Sequence, residues 1–552
     1  MKIRVAMGLV AGVLSLSAFD ARAQTCTLGP FNSSSSMTTI NNQLNAAANG
    51  AVLCLQRGSN WNVPSGLTLT QTYPDTARVI VCASDGSTCT DTSSNPNPRI
   101  TTNGTCVHAT TGSGGLTVKN LDCYDGGAGA APAALDVSKG SANVSFEGGV
   151  IDGRFQPIYL DGGSTTDTPA NNVHFGTCAN RIEVRNGPAA NPTGGDRNVS
   201  WGVATNLYFS LWVHDFIGYS GHPNEHMLDI ARNTGATHYT PSVNGAVNLT
   251  IECSLFESHA TSNPYLGEML KIALASNAVI RNNIFRVTGF CISGNAMGGG
   301  SHNATNETEG WDGGAVYGNL FDMGVCKGPI AMSHARNVDI YNNVMIATNA
   351  DEQRGFIEFD YAQKSLDPGQ DDLSLQNLRV FNNTIYRSGN SSAVGSGWAI
   401  FNENMNPAPN WPAGTGFAIF NNLIYDTDAV DAKVINTGYT GCNGYGTNGA
   451  NIRSNFIYTP NDNTPSVISC SGSTLASSGY QTAPGVANAS AGQFGITTTS
   501  KVYGSGGSGC PTTDYVGASR PSPCSIGAYD VSASGSASPL LPPTLVQASP
   551  GN

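Results

Sequence analysis

Val279-Ile280-Arg281-Asn282-Asn283-Ile284-Phe285 and Asp339-Ile340-Tyr341-Asn342-Asn343-Val344-Met345 are two copies of one phrase. It returns as Arg379-Val380-Phe381-Asn382-Asn383-Thr384-Ile385-Tyr386 and as Ala418-Ile419-Phe420-Asn421-Asn422-Leu423-Ile424-Tyr425. Ile452-Arg453-Ser454-Asn455-Phe456-Ile457-Tyr458 is a weakened copy, and Asn248-Leu249-Thr250-Ile251-Glu252-Cys253-Ser254-Leu255-Phe256 an earlier coil. Each copy reads as two short apolar strands flanking a tight bend. Asn tolerates the left-handed backbone that such a bend requires. In a stack of coils, equivalent Asn side chains lie one strand spacing apart, about 4.8 Å, and can hydrogen-bond as a ladder. One coil cannot bury its own apolar face, so the repeat implies stacked neighbours. The fold expected is all-β: a right-handed parallel β-helix solenoid with caps at both ends.

A second strand series lies between these copies. It runs Ala134-Leu135-Asp136-Val137-Ser138, Met227-Leu228-Asp229-Ile230-Ala231, Met269-Leu270-Lys271-Ile272-Ala273, Pro329-Ile330-Ala331-Met332-Ser333 and Phe356-Ile357-Glu358-Phe359-Asp360. Alternation sends Leu228/Ile230, Leu270/Ile272, Ile330/Met332 and Ile357/Phe359 inward. Asp229, Lys271, Ala331/Ser333 and Glu358/Asp360 then line one outer sheet.

Lys2 and Arg4, an apolar run from Val5 to Phe19, and Ala21-Arg22-Ala23 together read as a secretory signal over 1–23. Export makes disulfides the default for the fourteen cysteines, all of which follow that segment. Nearby pairs are Cys26/Cys54, Cys82/Cys89, Cys106/Cys123, Cys442/Cys470 and Cys510/Cys524, with the connectivity left open. The net charge is −12. That excludes a nucleic-acid partner, which needs a basic face, and no later stretch is apolar enough to span a bilayer. Residues 24–100 read as an N-terminal cap with first coils, including a helix over 38–48. The β-helix occupies 101–460, with an insertion near 290–314. C-terminal coils and a cap occupy 461–530, and a disordered tail 531–552. A secreted (extracellular or periplasmic) monomer is expected.

The chain resembles the pectate-lyase-like family of secreted right-handed β-helix proteins. Ala47-Asn49-Gly50-Ala51-Val52-Leu53-Cys54-Leu55, Val79-Ile80-Val81 and Pro98-Arg99-Ile100 are similar to its opening coils, and the Asn-bend coils to its body. Asp514-Tyr515-Val516-Gly517, Arg520 and Ile526-Gly527-Ala528-Tyr529-Asp530 resemble a closing motif of such proteins. A narrower resemblance is to the chondroitinase-B and alginate lyase group, carried by Glu268-Met269-Leu270-Lys271 followed by Asn277 and Arg281-Asn282-Asn283. It implies a polysaccharide lyase acting on a uronic-acid-containing polymer by β-elimination, with Lys271 as base. The Arg that this group carries on a later strand of the same sheet has no counterpart in the strand slot of Met332-Ser333-His334-Ala335-Arg336.

A lyase needs a base near the ring carbon and a positive group or metal to neutralise the substrate carboxylate. Lys271, His226, His334 and Arg281 are the catalytic candidates. Asp229, Glu268, Glu358 and Asp360 are candidate ligands for Ca2+, a hard cation that takes carboxylate oxygens. Trp311, Asp312, Arg336 and Tyr361 are candidate polysaccharide-binding residues. Asp229, if one coil below Lys271, favours the ammonium and opposes a Lys base. Two other readings stay open. Asp229, Glu358 and Asp360 could serve a glycoside hydrolase, and the acidic surface suits a non-catalytic glycan-binding surface or matrix protein.

Overall fold

In the computed structural model the repeated phrase is a corner between two parallel sheets. The structure describes residues 24–531 except 92, 127–132, 154–156, 162–166, 186–199, 203, 215–225, 231–240, 261–266, 290, 293–294, 300–309, 325, 327, 334, 349–354, 361–375, 389–398, 403–415, 428–433, 438–441, 463–464, 466–469 and 477–478. The signal-like segment 1–23 and the tail 532–552 lie outside the described residues.

One coil shows the plan. Leu270–Ile272 is followed by Ala275–Arg281, then by Ile284–Val287, and the next coil begins at Met297–Gly299. Each strand pairs in parallel with its equivalent one coil on, as Leu270 with Met297, Ile280 with Val316 and Phe285 with Phe321. The chain is thus a right-handed parallel β-helix with three faces: a short-strand sheet, a long-strand sheet and a third sheet beyond the Asn corner. The short-strand face has two described parts. Five strands run from Leu67–Leu69 to Ser200–Gly202, and seven from Leu228–Ile230 to Ile435–Asn436. Ser200–Gly202 packs beside Leu228–Ile230, so the two parts form one continuous face.

The corner divides labour between its two residues. The first takes the left-handed conformation, with φ of 54°, 51°, 52° and 56° at Asn282, Asn342, Asn382 and Asn421. The second turns inward and is fully buried at Asn283, Asn319, Asn343, Asn383, Asn422 and Asn455. Each Nδ2 except that of Asn455, the last in the ladder, donates to the Oδ1 of the next coil's Asn at 3.0 Å. Each of these side chains also donates to a main-chain carbonyl, as Asn383 does to Ile340. The ladder saturates polar groups inside an apolar column, where a stranded one costs about 1–3 kcal/mol. Its Asn319 member follows Gly318, whose φ is +64°. This Gly-Asn corner is a coil that the Asn-Asn pattern does not reveal.

Core side chains stack coil on coil. Phe256, Phe285 and Phe321 form one column with centroids 5.1 and 4.9 Å apart, and Phe146, Phe175 and Phe209 another. At the N-terminal end, a helix over Met37–Asn45 covers the open core with Met37, Ile40 and Leu44. Ser36 caps it by accepting from the Thr39 amide at 3.1 Å.

The C-terminal segment does more than close the last coil. It folds back over the third sheet, where Phe494, Tyr515, Ala528 and Tyr529 cover the outward apolar residues Ile284, Leu320 and Val344. Arg520 pins it: its Nη2 donates to Asn342 Oδ1 at 2.8 Å and to the carbonyls of Gly527 and Ala528 at 2.9 Å. Burial holds this guanidinium down at about 10, against the pull of Asp530 and Asp514.

Seven disulfides are present. Five join the cysteines that lie close in sequence. Cys178–Cys253 and Cys291–Cys326 span 75 and 35 residues and join segments that only the coiling brings together. Among the described residues no helix is long and apolar enough to cross a membrane. The span 290–314, read as an insertion, contains two regular strands, Met297–Gly299 and the start of Trp311–Tyr317.

Candidate active site on the short-strand face

Strict alternation decides which side chains reach this surface. Leu228, Ile230, Leu270, Ile272, Ile330, Met332, Ile357 and Phe359 point inward and are at most 1% exposed. The outward row runs in register through Asp229, Lys271, Gly298, Ala331 and Glu358.

His226 and Glu268 occupy equivalent positions in successive coils, each three residues before the outward residue. The stacking therefore puts them side by side. His226 Nδ1 lies 2.8 Å from Glu268 Oε2 and 3.1 Å from the Glu268 amide nitrogen. Nδ1 can serve only one of these, as donor to the carboxylate or as acceptor from the amide. The shorter contact and the charge on the carboxylate favour donation. The other carboxylate oxygen, Oε1, lies 4.0 Å from Lys271 Nζ. One carboxylate thus holds two nitrogens. All three side chains are partly exposed, at 14%, 22% and 16% for His226, Glu268 and Lys271.

Room for Glu268 comes from the next coil. A Cβ on Gly298 would stand 2.9 Å from Glu268 Cγ. Gly298 leaves the lane that the glutamate side chain crosses on its way to Lys271.

The electrostatics follow from this packing. Burial works against ionisation of Glu268, but Lys271 and His226 outweigh it and hold the carboxyl at about 2. Burial also works against the imidazolium of His226. Glu268 and Asp229 outweigh it and raise the group above its usual 6.5. With Nδ1–H committed to Glu268, the neutral imidazole carries its lone pair on Nε2.

The other sequence candidates lie elsewhere. Arg281 is on the long-strand sheet, around the corner from Lys271. It is ion-paired with Glu252 and donates to the Tyr317 hydroxyl at 3.1 Å. Arg336 and Asp312 pair with each other on the same long-strand sheet at 2.8 Å. Trp311 is no stacking platform: it is fully buried in the core, and its Nε1 donates to the Gly313 carbonyl at 2.7 Å. Its place at the first inward position of a long strand leaves it no route to the surface.

The calcium set does not converge. Asp229 and Glu358 stand four strands apart in the row, about 19 Å, and a calcium ion reaches only about 2.3–2.6 Å to each oxygen. Glu268 is occupied by His226 and Lys271. Glu358 is completely buried although it alternates outward. His334, Tyr361 and the side chain of Asp360 lie outside the described residues.

Sequence reasoning gave Glu268 a metal-ligand role. Its role as a bridge was legible only by superposing the coils that carry Asp229 and Lys271, which places residue 226 on residue 268. Gly298 carries no local signal at all, because its meaning lies in the coil before it.

No protein-family model matches this chain, and a comparison with curated proteins found no match. Among solved structures, the chain is similar to the PL6 family alginate lyase AlyGC, with 12% identity over 80% of this chain and 52% of that one, at a TM-score of 0.41. It spans about half the length of that lyase. It is also similar to a mannuronic acid specific polysaccharide family 6 lyase from human gut microbiota, with 10% identity, 80% and 88% coverage and a TM-score of 0.44. An endo-xylogalacturonan hydrolase from Aspergillus tubingensis is similar at 12% identity, 74% and 99% coverage and a TM-score of 0.32.

Proposed function

We propose that this chain is a secreted polysaccharide lyase that cleaves a uronate-containing polymer by β-elimination on the short-strand face. The observation that carries the reading is the single carboxylate of Glu268 shared by His226 at 2.8 Å and Lys271 at 4.0 Å. A carboxylate that orients an imidazole through Nδ1 makes Nε2 a positioned base. Lys271 brings a cationic side chain to the same carboxylate. It has three donors, of which Glu268 takes one direction, leaving others for a substrate carboxylate. The roles are therefore divided: Lys271 neutralises, and His226 takes the proton.

The chemistry balances with these two groups. His226 Nε2 removes the proton alpha to the uronate carboxylate while Lys271 stabilises the charge that develops on it. The electron pair forms the ring C=C bond as the glycosidic C–O bond at the neighbouring carbon breaks. The leaving oxygen takes a proton from water, the proton on His226 Nε2 passes to solvent, and the leaving group becomes a new chain end. Seven disulfides support an exported protein.

The test is incubation of the purified protein with uronate-containing polysaccharides, following unsaturated ends in the near ultraviolet. Unsaturated product that disappears in His226→Gln supports the reading. New reducing ends without unsaturation make the protein a hydrolase, and retention of glycans with no turnover makes it a binding protein.

A further inference from the structure

The line that sets His226 beside Glu268 has a third member. Leu270 pairs with Met297 and Lys271 with Gly298. The residue three before Gly298, Asn295, therefore stands one coil on from Glu268, about 4.8 Å along the stack. The backbone keeps this register just ahead of the strands: Leu228 donates to the Met269 carbonyl and Leu270 to the Ala296 carbonyl, both at 2.9 Å. His226, Glu268 and Asn295 thus follow one another along the face.

Asn295 is 4% exposed. Its Nδ2 is buried and has no hydrogen-bond partner among the described residues. The corner asparagines behave differently. Asn283, Asn319, Asn343, Asn383 and Asn422 are fully buried. Each spends its Nδ2 on a main-chain carbonyl and on the Oδ1 of the next coil. A buried amide donor with nothing to bond lowers stability, so its retention calls for a reason. The stack supplies none for Asn295. The equivalent residue one coil on is Gly328, which has no side chain to offer. One coil back, Glu268 is turned toward His226 at 2.8 Å and Lys271 at 4.0 Å.

The spare donor lies beside the place where Lys271 would meet a uronate. A carboxylate presents two oxygens, and a single ammonium need hold only one of them. The torsion that carries the Asn carboxamide is soft, so a modest rotation turns Nδ2 toward a bound group. We infer that Asn295 is a substrate-binding residue, whose Nδ2 donates to one oxygen of the uronate carboxylate while Lys271 holds the other. The inference rests on the lyase reading and adds a second donor to the pocket that recognises the acid.

The experiment is calorimetric titration of a uronate oligosaccharide into the full chain carrying His226→Gln, which blocks turnover. The same titration is then made with Asn295→Leu added, since leucine is close in shape and has no donor to strand. Affinity is expected to fall about 10–100-fold. The melting temperature without ligand should hold or rise, because a stranded amide has been removed. Asn295→Asp should weaken binding further by setting a carboxylate against the uronate, and that extra loss should shrink as salt rises. Unchanged affinity in Asn295→Leu overturns the inference. So does a lowered melting temperature of its ligand-free form, which gives Asn295 a role in the fold alone. Both results leave β-elimination standing, because the parent chain's unsaturated product reports on it separately. Binding by neither protein overturns the inference and the lyase reading together.

Discussion

The short-strand face and the third sheet follow the same register arithmetic and pair their charges at different distances. On the third sheet the outward row from Glu257 through Arg286 to Asp322 alternates in sign from coil to coil. Arg185 bonds Asp152 at 3.0 Å and Glu183 at 2.9 Å, and Arg286 lies between Glu257 at 3.3 Å and Asp322 at 3.4 Å. These two arginines sit between carboxylates, and Glu183 also takes His214 Nε2 at 3.0 Å, as in an ordinary cross-strand ladder. On the short-strand face one carboxylate is also shared by two nitrogens, but Lys271 stands 4.0 Å from it, beyond hydrogen-bond reach. A glycine in the next coil keeps the lane open. The close contacts of the third sheet use up their donors within the stack, whereas the wider Lys271 contact leaves ammonium donors for a ligand.

The largest effect expected from breaking this contrast is on turnover. His226→Gln and Lys271→Ala should each lower kcat on the uronate polymer by about 10²–10⁴-fold, with the melting temperature near that of the parent. Arg286→Ala on the third sheet should leave kcat unchanged. Equal losses from the two faces would erase the distinction.

Gly298→Ala should come next. The added methyl pushes Glu268 away from Lys271, and a misplacement on the order of 1 Å can cost about 10²-fold. Kinetics combined with an unchanged circular dichroism spectrum would check it.

Glu268→Gln sharpens the comparison through pH. Activity should rise as His226 loses its proton, at a pH above the usual 6.5. Without the Glu268 charge the inflection should move to lower pH, while the lower rate reports a less well oriented imidazole. Stability has the opposite sign. Glu268, held at about 2 against a usual 4.5, stabilises the fold above about pH 4.5 and loses that contribution as pH falls toward 2. His226, raised in the fold, stabilises below 6.5 and loses that contribution as pH climbs through its folded value. The cluster therefore supports the fold best between about pH 4.5 and 6.5 and works best above that window.

The fold was almost fully legible, because a solenoid writes its period into the sequence. The Asn-Asn phrase marks the corner, and alternation in Met269-Leu270-Lys271-Ile272-Ala273 marks which side chains leave the core. The Gly318-Asn319 corner was missed because glycine satisfies the left-handed position as well as Asn does. The site was half legible. Lys271, His226 and Glu268 stood out as residue types, but their division of roles depends on distances between coils. Trp311 was misread because it stands beside Glu307, Glu309 and Asp312 in the span 290–314 read as an insertion, whereas here it opens a strand with its side chain inward.

The smaller expected effects are on stability. Asn383→Ala strips the Asn343 amide and side chain of their acceptor. It should cost about 1–3 kcal/mol for each buried group left stranded, read as a lowered denaturation midpoint. Arg286→Ala should cost under about 1 kcal/mol, since its guanidinium is a third exposed.

The most direct measurement of the central claim needs no substrate. Titration of the His226 imidazole by ¹⁵N-resolved NMR, assigned by its loss in His226→Gln, reads both its pKa and its tautomer. The account predicts a pKa above 6.5 that falls in Glu268→Gln, and a neutral form protonated on Nδ1. A pKa at or below 6.5, or a neutral form protonated on Nε2, would contradict it.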